Sequence, residues 1–327
     1  MSSDSLSCDS DSNLCSYQGY DVSDYRDVDP KYGSMQDWDR LAALLKEKNI
    51  RLVHDLVVNH TSDDHAWFQA SRASKGKKNV HADWYIWRDA KTDERGNRTE
   101  PNNWASIWGG SAWTWVEERQ QYYFHVFDER QPDLNWENAD VREAVKDVMR
   151  FWLDKGVAGF VSNARLPPLT LPPSSLTRLN VLVSLQRCDA INFVSKPTDF
   201  PDAPITDASS KYQPAVALYA HGKRLVEFLT ELYQDVLSKY QAFTVGESGM
   251  TTVQQALEMT QHGRPLQQLF TFDHLNFDLP PSSTEIFEPG QGRPRNFDMF
   301  REAISKWQIW ALEHDSWLGN FLSNHDQ

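Results

Sequence analysis

GVAGF (residues 156–160) and RCDAINFVSK (residues 187–196) read as one buried strand cut in two. Joined, they form an apolar, glycine-punctuated run of the kind that a parallel sheet covers on both faces. Arg187 and Asp189, two residues apart, then fall on the same face of that strand. Between the halves lies VSNARLPPLTLPPSSLTRLNVLVSLQ, about 26 residues numbered 161–186. Its paired prolines, Pro167 with Pro168 and Pro172 with Pro173, cannot continue a central strand. The segment is therefore expected to be an insertion into the strand. It opens on Val-Ser and closes on Gln, so its codons can begin GT and end CAG, as those of an intron retained in frame would.

Outward from that strand, helical periods alternate with short buried runs. WDRLAALLKEK (38–48) is amphipathic, and RLVHDLVV (51–58) is apolar and β-branched enough for a strand. Residues 61–138 are rich in Trp, Asn, Gly and charge, and are too long for an ordinary βα loop. They read as a small subdomain inserted after the first strand. Helix is then expected over 141–154, 223–240, 253–259 and 298–314, and strand over 157–160, 242–247, 269–274 and 317–324. Alternating strand and helix gives a parallel sheet, closed as a barrel or doubly wound.

Composition bounds the function. The net charge of −13 argues against nucleic acid, whose phosphates need a basic surface. Thirteen Trp and eleven Tyr suit a ligand with flat apolar faces, although most aromatics belong to cores. The start, MSSDSLSCDSDSN, has no apolar leader, and no run approaches the roughly 20 apolar residues of a membrane span. Cys8, Cys15 and Cys188 show no metal-ligand spacing, and an odd count fits a reducing compartment. The chain reads as soluble and cytoplasmic, without membrane, nucleic-acid, metal or cofactor partners.

Acidic groups stand at the ends of several strands. Asp55, Asn59 and His60 close DLVVNH, Asp189 closes the split strand, Glu247 closes AFTVGE, and His325 and Asp326 close FLSNHDQ. One such acid is more often a helix cap than a catalyst. Several in register, with His, Arg and Asn beside them, mark the carboxyl-end face on which barrel enzymes build their sites.

These motifs resemble glycoside hydrolase family 13, the α-amylase superfamily, and within it the α-glucosidase and oligo-1,6-glucosidase (maltase) group. GYDVSDYRDVDPKYGSMQDWDRL, DLVVNHTSDDHAWF, YYFHVFDERQPDLNWEN, RCDAINFVSK, FTVGE and NHDQ all carry the likeness, from about Gly19 to the last residue. QPDLNW is the most group-specific. The resemblance implies an α/β fold: an incomplete TIM (β/α)8 barrel with a small subdomain inserted after a barrel strand. The implied division is 1–18 outside the family pattern, 19–60 partial barrel, 61–138 inserted subdomain, and 139–327 barrel resumed around the 161–186 insertion.

The resemblance also implies roles. Asp189 is the nucleophile and Glu247 the acid and base of a double displacement, a pair that sits about 5 to 5.5 Å apart in retaining enzymes. Asp326 grips the sugar hydroxyls as the ring flattens. Tyr20 stacks under the glucose, His60 and His325 hydrogen-bond it, and Arg187 keeps Asp189 ionised. Asp55 and Asn59 support them. Ala190, where α-1,6-selective members tend to carry Val, leaves room for maltose- or sucrose-type oligosaccharides.

Three departures weigh on activity. The 161–186 segment precedes the nucleophile directly. Tyr17 stands where the group carries a glucose-binding Asp, and the Asp-rich metal-binding loop expected before GYD is replaced by residues 1–18. The chain stops at Gln327, before the Arg that usually follows NHDQ. A catalytically inactive fragment or sugar-binding pseudoenzyme is thus the alternative to a glucosidase, while transglucosylation or sucrose isomerisation would use the same residues.

Overall fold

The computed structural model describes residues 20–75, 79–160, 191–240, 242–260, 265–270, 272–273 and 297–319. The first helix, α1 (Met35–Glu47), begins three residues before the apolar periodicity does, because a capping box starts it. Ser34 Oγ accepts from the Asp37 amide at 3.3 Å, and the Asp37 carboxylate accepts from the Ser34 amide at 2.8 Å. Strand β1 (Val53–His54) follows. Only these two residues of the expected 51–58 strand join a ladder, yet Leu56 and Val58 are buried in the main core and Val57 is buried beside them.

Helix α2 (Ala66–Arg72) opens the next stretch, its N-terminus capped by His65, whose Nδ1 accepts from the Trp67 amide at 3.0 Å. Strands β2 (Trp87–Arg88), β3 (Lys91–Thr92), β4 (Arg98–Thr99), β5 (Trp113–Val116) and β6 (Gln121–Phe124) come next. They pair antiparallel, β2-β6-β5 in one sheet and β3-β4 in another. Local hairpins of this kind need no crossover. Arg119 threads under them, hydrogen-bonding the carbonyls of Ser71, Ser74 and Ala82 and lying 4.2 Å from the Trp87 ring centroid.

The chain leaves this stretch through α3 (Ala139–Asp154), capped by Asn138, and enters β7 (Gly159–Phe160). β7 lies parallel to β1, Val53 facing Gly159. Past residue 190, a 3₁₀ turn (Ile191–Phe193) leads to α4 (Val216–Tyr219), then α5 (Leu225–Leu232), a π turn (Tyr233–Leu237) and α6 (Ser238–Tyr240). Lys146 of α3 ties this helical run down, with Nζ 2.9 Å from Glu231 and 2.8 Å from Asp235.

β8 (Val245–Glu247), α7 (Val253–Thr260), β9 (Gln268–Phe270), α8 (Phe297–Glu313) and β10 (Trp317–Leu318) complete the order. β8, β9 and β10 form a parallel sheet, and a parallel bridge between Gly159 and Phe243 links β7 to the lead of β8. Gly159 is required there, since a Cβ would lie 2.2 Å from the Phe243 carbonyl oxygen. Five parallel strands thus neighbour one another in chain order, β1, β7, β8, β9, β10, with helix in each crossover. No closed barrel is present among the described residues.

Two buried clusters hold this together. The larger packs α3, α5 and α7 against the parallel strands through Val145, Met149, Phe228, Leu229, Met259 and Leu269. The smaller joins the antiparallel sheet to residues 193–219 around Trp104, Phe124, Phe200 and Tyr219.

Candidate active site

Because the five strands run parallel, their carboxyl ends gather at one end of the sheet. Val53, Gly159 and Phe243 share a row. Asp55 and Asn59 lie two and six residues beyond that row on one chain segment, and Glu247 four residues beyond it on another. Glu247 is the last residue of β8 and is buried. Arg187, Asp189, His325 and Asp326, with the 161–186 segment, lie outside the described residues.

Of the nominated residues, the structure brings Tyr20, Asn59 and His60 together. The Nε2 of His60 is 3.0 Å from the Tyr20 carbonyl, which can only accept, so this nitrogen carries the proton. Nδ1 is then free to accept from Nδ2 of Asn59 at 3.3 Å. Tyr25, one turn on, donates its hydroxyl to the carbonyls of Val57 and His60 at 2.7 and 3.0 Å, fixing the backbone on which His60 rides. Asp21 stands beside this pair. Burial pushes its carboxyl above the usual range, while the charge of Arg130 acts in the opposite sense.

Behind His60 lies a buried ion pair that the motif reading does not nominate. Nδ2 of Asn59 donates to Oδ2 of Asp133 at 3.1 Å, and Nζ of Lys196 donates to Oδ1 of Asn59 at 2.8 Å. Lys196 also meets Asp133 directly and donates to the Phe193 carbonyl at 2.7 Å. The other Asp133 oxygen accepts from the Val126 amide at 3.0 Å. Burial presses the Lys196 pKa below its ordinary value against the pull of Asp133. Both residues sit inside quoted motifs, Asp133 in QPDLNW and Lys196 in RCDAINFVSK. A lone Asp and a lone Lys in different motifs carry no sign of pairing until the chain folds, and that is why the pair escapes a reading of local patterns.

QPDLNW also closes the antiparallel stretch against its own entry. His60 bridges Asp133, the Leu134 amide donates to the Asn59 carbonyl at 2.9 Å, and the Thr61 amide donates to the Pro132 carbonyl at 3.2 Å. Entry and exit therefore lie side by side at the carboxyl end of β1. Among the described residues no cluster of three or more His, Cys, Asp or Glu side chains is arranged to hold a metal ion. No helix among them is long and apolar enough to cross a membrane.

These features define a βα-repeat protein whose buried polar groups collect beyond its strand ends, beside an antiparallel module spliced in after the first described strand. The profile of the family described as "Alpha amylase, catalytic domain" matches residues 5–164 and 181–327. The chain belongs to the alpha-amylase family of glycoside hydrolases. The match starts at residue 5, within the stretch 1–18 read as outside the pattern, and leaves 165–180 unmatched.

An α-glucosidase of Schizosaccharomyces pombe is 42% identical over 313 residues, covering 94% of this chain and 48% of that protein. An oligo-1,6-glucosidase of Parageobacillus thermoglucosidasius is 40% identical over 310 residues, with 94% and 48% covered. Among solved structures, trehalose-6-phosphate hydrolase of Bacillus licheniformis superposes with a TM-score of 0.76 at 35% identity, over 97% of this chain and 49% of that one. A variant of MutB, crystallised with its substrate sucrose, gives 0.77 at 36% identity, over 96% and 49%. The chain spans about half the length of the curated relatives it matches.

Proposed function

We propose that this chain carries the site of a retaining α-glucosidase acting on terminal α-glucosidic bonds of maltose- or sucrose-type oligosaccharides. Asp189 attacks the anomeric carbon and forms a covalent glucosyl ester, while Glu247 protonates the departing oxygen. Glu247 then takes a proton from water, which cleaves the ester and restores Asp189. Asp326 holds the sugar hydroxyls through the flattened transition state. Tyr20, His60, Arg187 and His325 grip the glucose, with Asp55 and Asn59 behind them. No metal or cofactor enters these steps, and the protein works in the cytoplasm. The fold in this reading is an incomplete (β/α)8 barrel with residues 61–138 as its inserted subdomain and 161–186 as an insertion in a barrel strand.

The observation that carries the reading is the position of Glu247, buried at the carboxyl end of a parallel strand, the end of the sheet beyond which His60 also lies. The names of the relatives, α-glucosidase and oligo-1,6-glucosidase, supply the substrate class. A second reading, a catalytically inactive sugar-binding protein, draws on the unmatched stretch 165–180 just ahead of Asp189.

The test is hydrolysis of maltose, sucrose and isomaltose by the full chain, with the first-formed glucose anomer followed by proton NMR. The expected result is α-glucose from maltose and a loss of about 10²- to 10⁴-fold in Glu247→Gln. Absent turnover in wild type and variant alike sinks the catalytic reading and leaves the binding one. Sequencing the transcript across codons 155 to 195 decides whether the insertion is a retained intron.

A further inference from the structure

A half-buried histidine that neither the motifs nor the reading above uses is His221. It precedes α5 in left-handed backbone, φ 55°, and its ring reaches across to the loop that leaves Glu247. Nε2 lies 3.0 Å from Oγ1 of Thr251, 3.5 Å from Oγ of Ser248 and 3.4 Å from Nδ2 of Asn192. The Thr251 hydroxyl in turn donates to the Ser248 carbonyl at 2.8 Å. Asn192 closes the circle, its Nδ2 donating to the Gly249 carbonyl at 2.9 Å while its own carbonyl accepts from the His221 amide at 2.8 Å.

Ser248, Thr251 and Asn192 are buried at 0%, 3% and 1% exposure, and the half-buried His221 ring closes over them. Burial pushes the ring pKa down to about 4, which keeps the imidazole neutral. Every member of the cluster lies either within four residues after Glu247 or against the 3₁₀ turn that follows the 187–190 stretch. The loop also needs left-handed backbone at Met250, φ 55°, a conformation that a non-glycine residue holds only when its surroundings impose it.

We propose that His221, acting with Asn192, is a positioning residue that locks the Glu247 strand end onto the 191–193 turn and so sets the orientation of the Glu247 carboxyl. The proposal rests on the reading of Glu247 as acid and base. It touches no sugar itself. Two residues of the crossover that joins β7 to β8 are held to the loop that leaves β8, so a shift of that crossover moves the strand end that carries the carboxyl. A misplacement of about 1 Å at such a group costs on the order of 10²-fold in rate.

The experiment follows the titration of Glu247 in the full chain by carboxyl carbon-13 NMR, its signal assigned by loss in Glu247→Gln. His221→Leu removes the polar ring, and His221→Gln returns an amide to the place of Nε2; both bear the same backbone strain at position 221. The expected result is a shift of the Glu247 midpoint by about one unit in the Leu variant and its return to within a few tenths in the Gln variant. An unchanged midpoint in folded His221→Leu overturns the proposal. Should that variant fail to fold, Thr251→Val, which deletes only the hydroxyl facing Nε2, decides by the same criterion.

Kinetics run beside the titration. In His221→Leu, kcat for maltose should fall by about tenfold or more with KM within about twofold. A glucoside whose leaving group needs no proton should be spared. If the wild type hydrolyses nothing, the glucosidase reading fails, and the titration alone still decides whether His221 positions Glu247.

Discussion

Nζ of Lys196 lies 2.6 Å from Oδ2 of Asp133, and the two side chains are only 3% and 0% exposed. The ammonium has three oxygen partners, from Asp133, Asn59 and Phe193, which satisfies its three protons. Charge is thus buried fully bonded, the condition under which burial is tolerable.

Removing one partner of that pair should be severe. Asp133→Asn leaves an uncompensated ammonium, and Lys196→Met leaves an uncompensated carboxylate. Each is expected to cost about 3–5 kcal/mol of stability, measured as the drop in urea midpoint at constant slope. A variant that unfolds at the wild-type midpoint would show that the pair is not closed in solution.

Acid should destabilise the protein through its buried histidines. The His65 ring is buried and its pKa is pushed down to about 4 by that burial, against about 6.5 in the unfolded chain. Its Nδ1 lone pair caps α2, so protonation at that nitrogen removes the cap. The folded pKa lies below the unfolded one, so this contribution is complete above pH 6.5 and is lost as pH falls to about 4. The most it can amount to is about 3 kcal/mol. His54 and His221, also pushed to about 4 by burial, act in the same window. Urea midpoints recorded from pH 8 to 4 should therefore fall less steeply for His65→Asn, which keeps a capping acceptor, than for wild type. Parallel curves would contradict this assignment.

Glycine at two backbone crossings is a steric demand. A Cβ at Gly222 would lie 2.0 Å from the Ser195 carbonyl oxygen, a clash as close as that at Gly159. Gly159→Ala and Gly222→Ala should each cost about 1–3 kcal/mol or more through backbone displacement. Gly96→Ala, with nothing within 4 Å but a φ of 82°, should lose about 1–2 kcal/mol from strain alone. Melting temperatures of the three variants give the ranking. If Gly96→Ala is the worst, backbone approach is not the controlling term.

Arg119 holds the antiparallel stretch from inside. Burial lowers its pKa to about 10, and three carbonyls accept from it. Arg119→Met fills much of the volume but takes the charged donor from all three, leaving Ser71 and Ala82 only the Ser74 amide and the Ser71 hydroxyl as partners. The expected loss is about 1–3 kcal/mol or more, seen as faster amide exchange at residues 71–84. Unaltered exchange there would mean that solvent takes over the carbonyls.

The sequence made some of this legible and hid the rest for identifiable reasons. Helices α3 and α7 fall within two residues of their expected bounds, since a continuous amphipathic stripe marks them. The expected 223–240 helix is one run in three geometries, broken by the π turn at Tyr233–Leu237, a change that apolar periodicity does not register. AFTVGE does end in a strand with Glu247 as its last residue, because the β-branched run and the glycine-acid terminus agree. His60 and Asn59 were legible as types at a strand end. The partners that fix them, Asp133 and Lys196, were hidden because pairing across such separations leaves no local pattern.

That separation has a kinetic consequence. Asn59 bonds Asp133, 74 residues further on, and Lys196, 137 residues further on. Closing such loops is slow, because their entropy is lost before the contacts reward it. On a ribosome delivering about 5–20 residues per second, Asn59 waits on the order of ten seconds for its last partner. The antiparallel hairpins can form during that interval, whereas the polar group behind His60 cannot. A nascent chain arrested before residue 196 should thus contain a folded hairpin module and an unmade site.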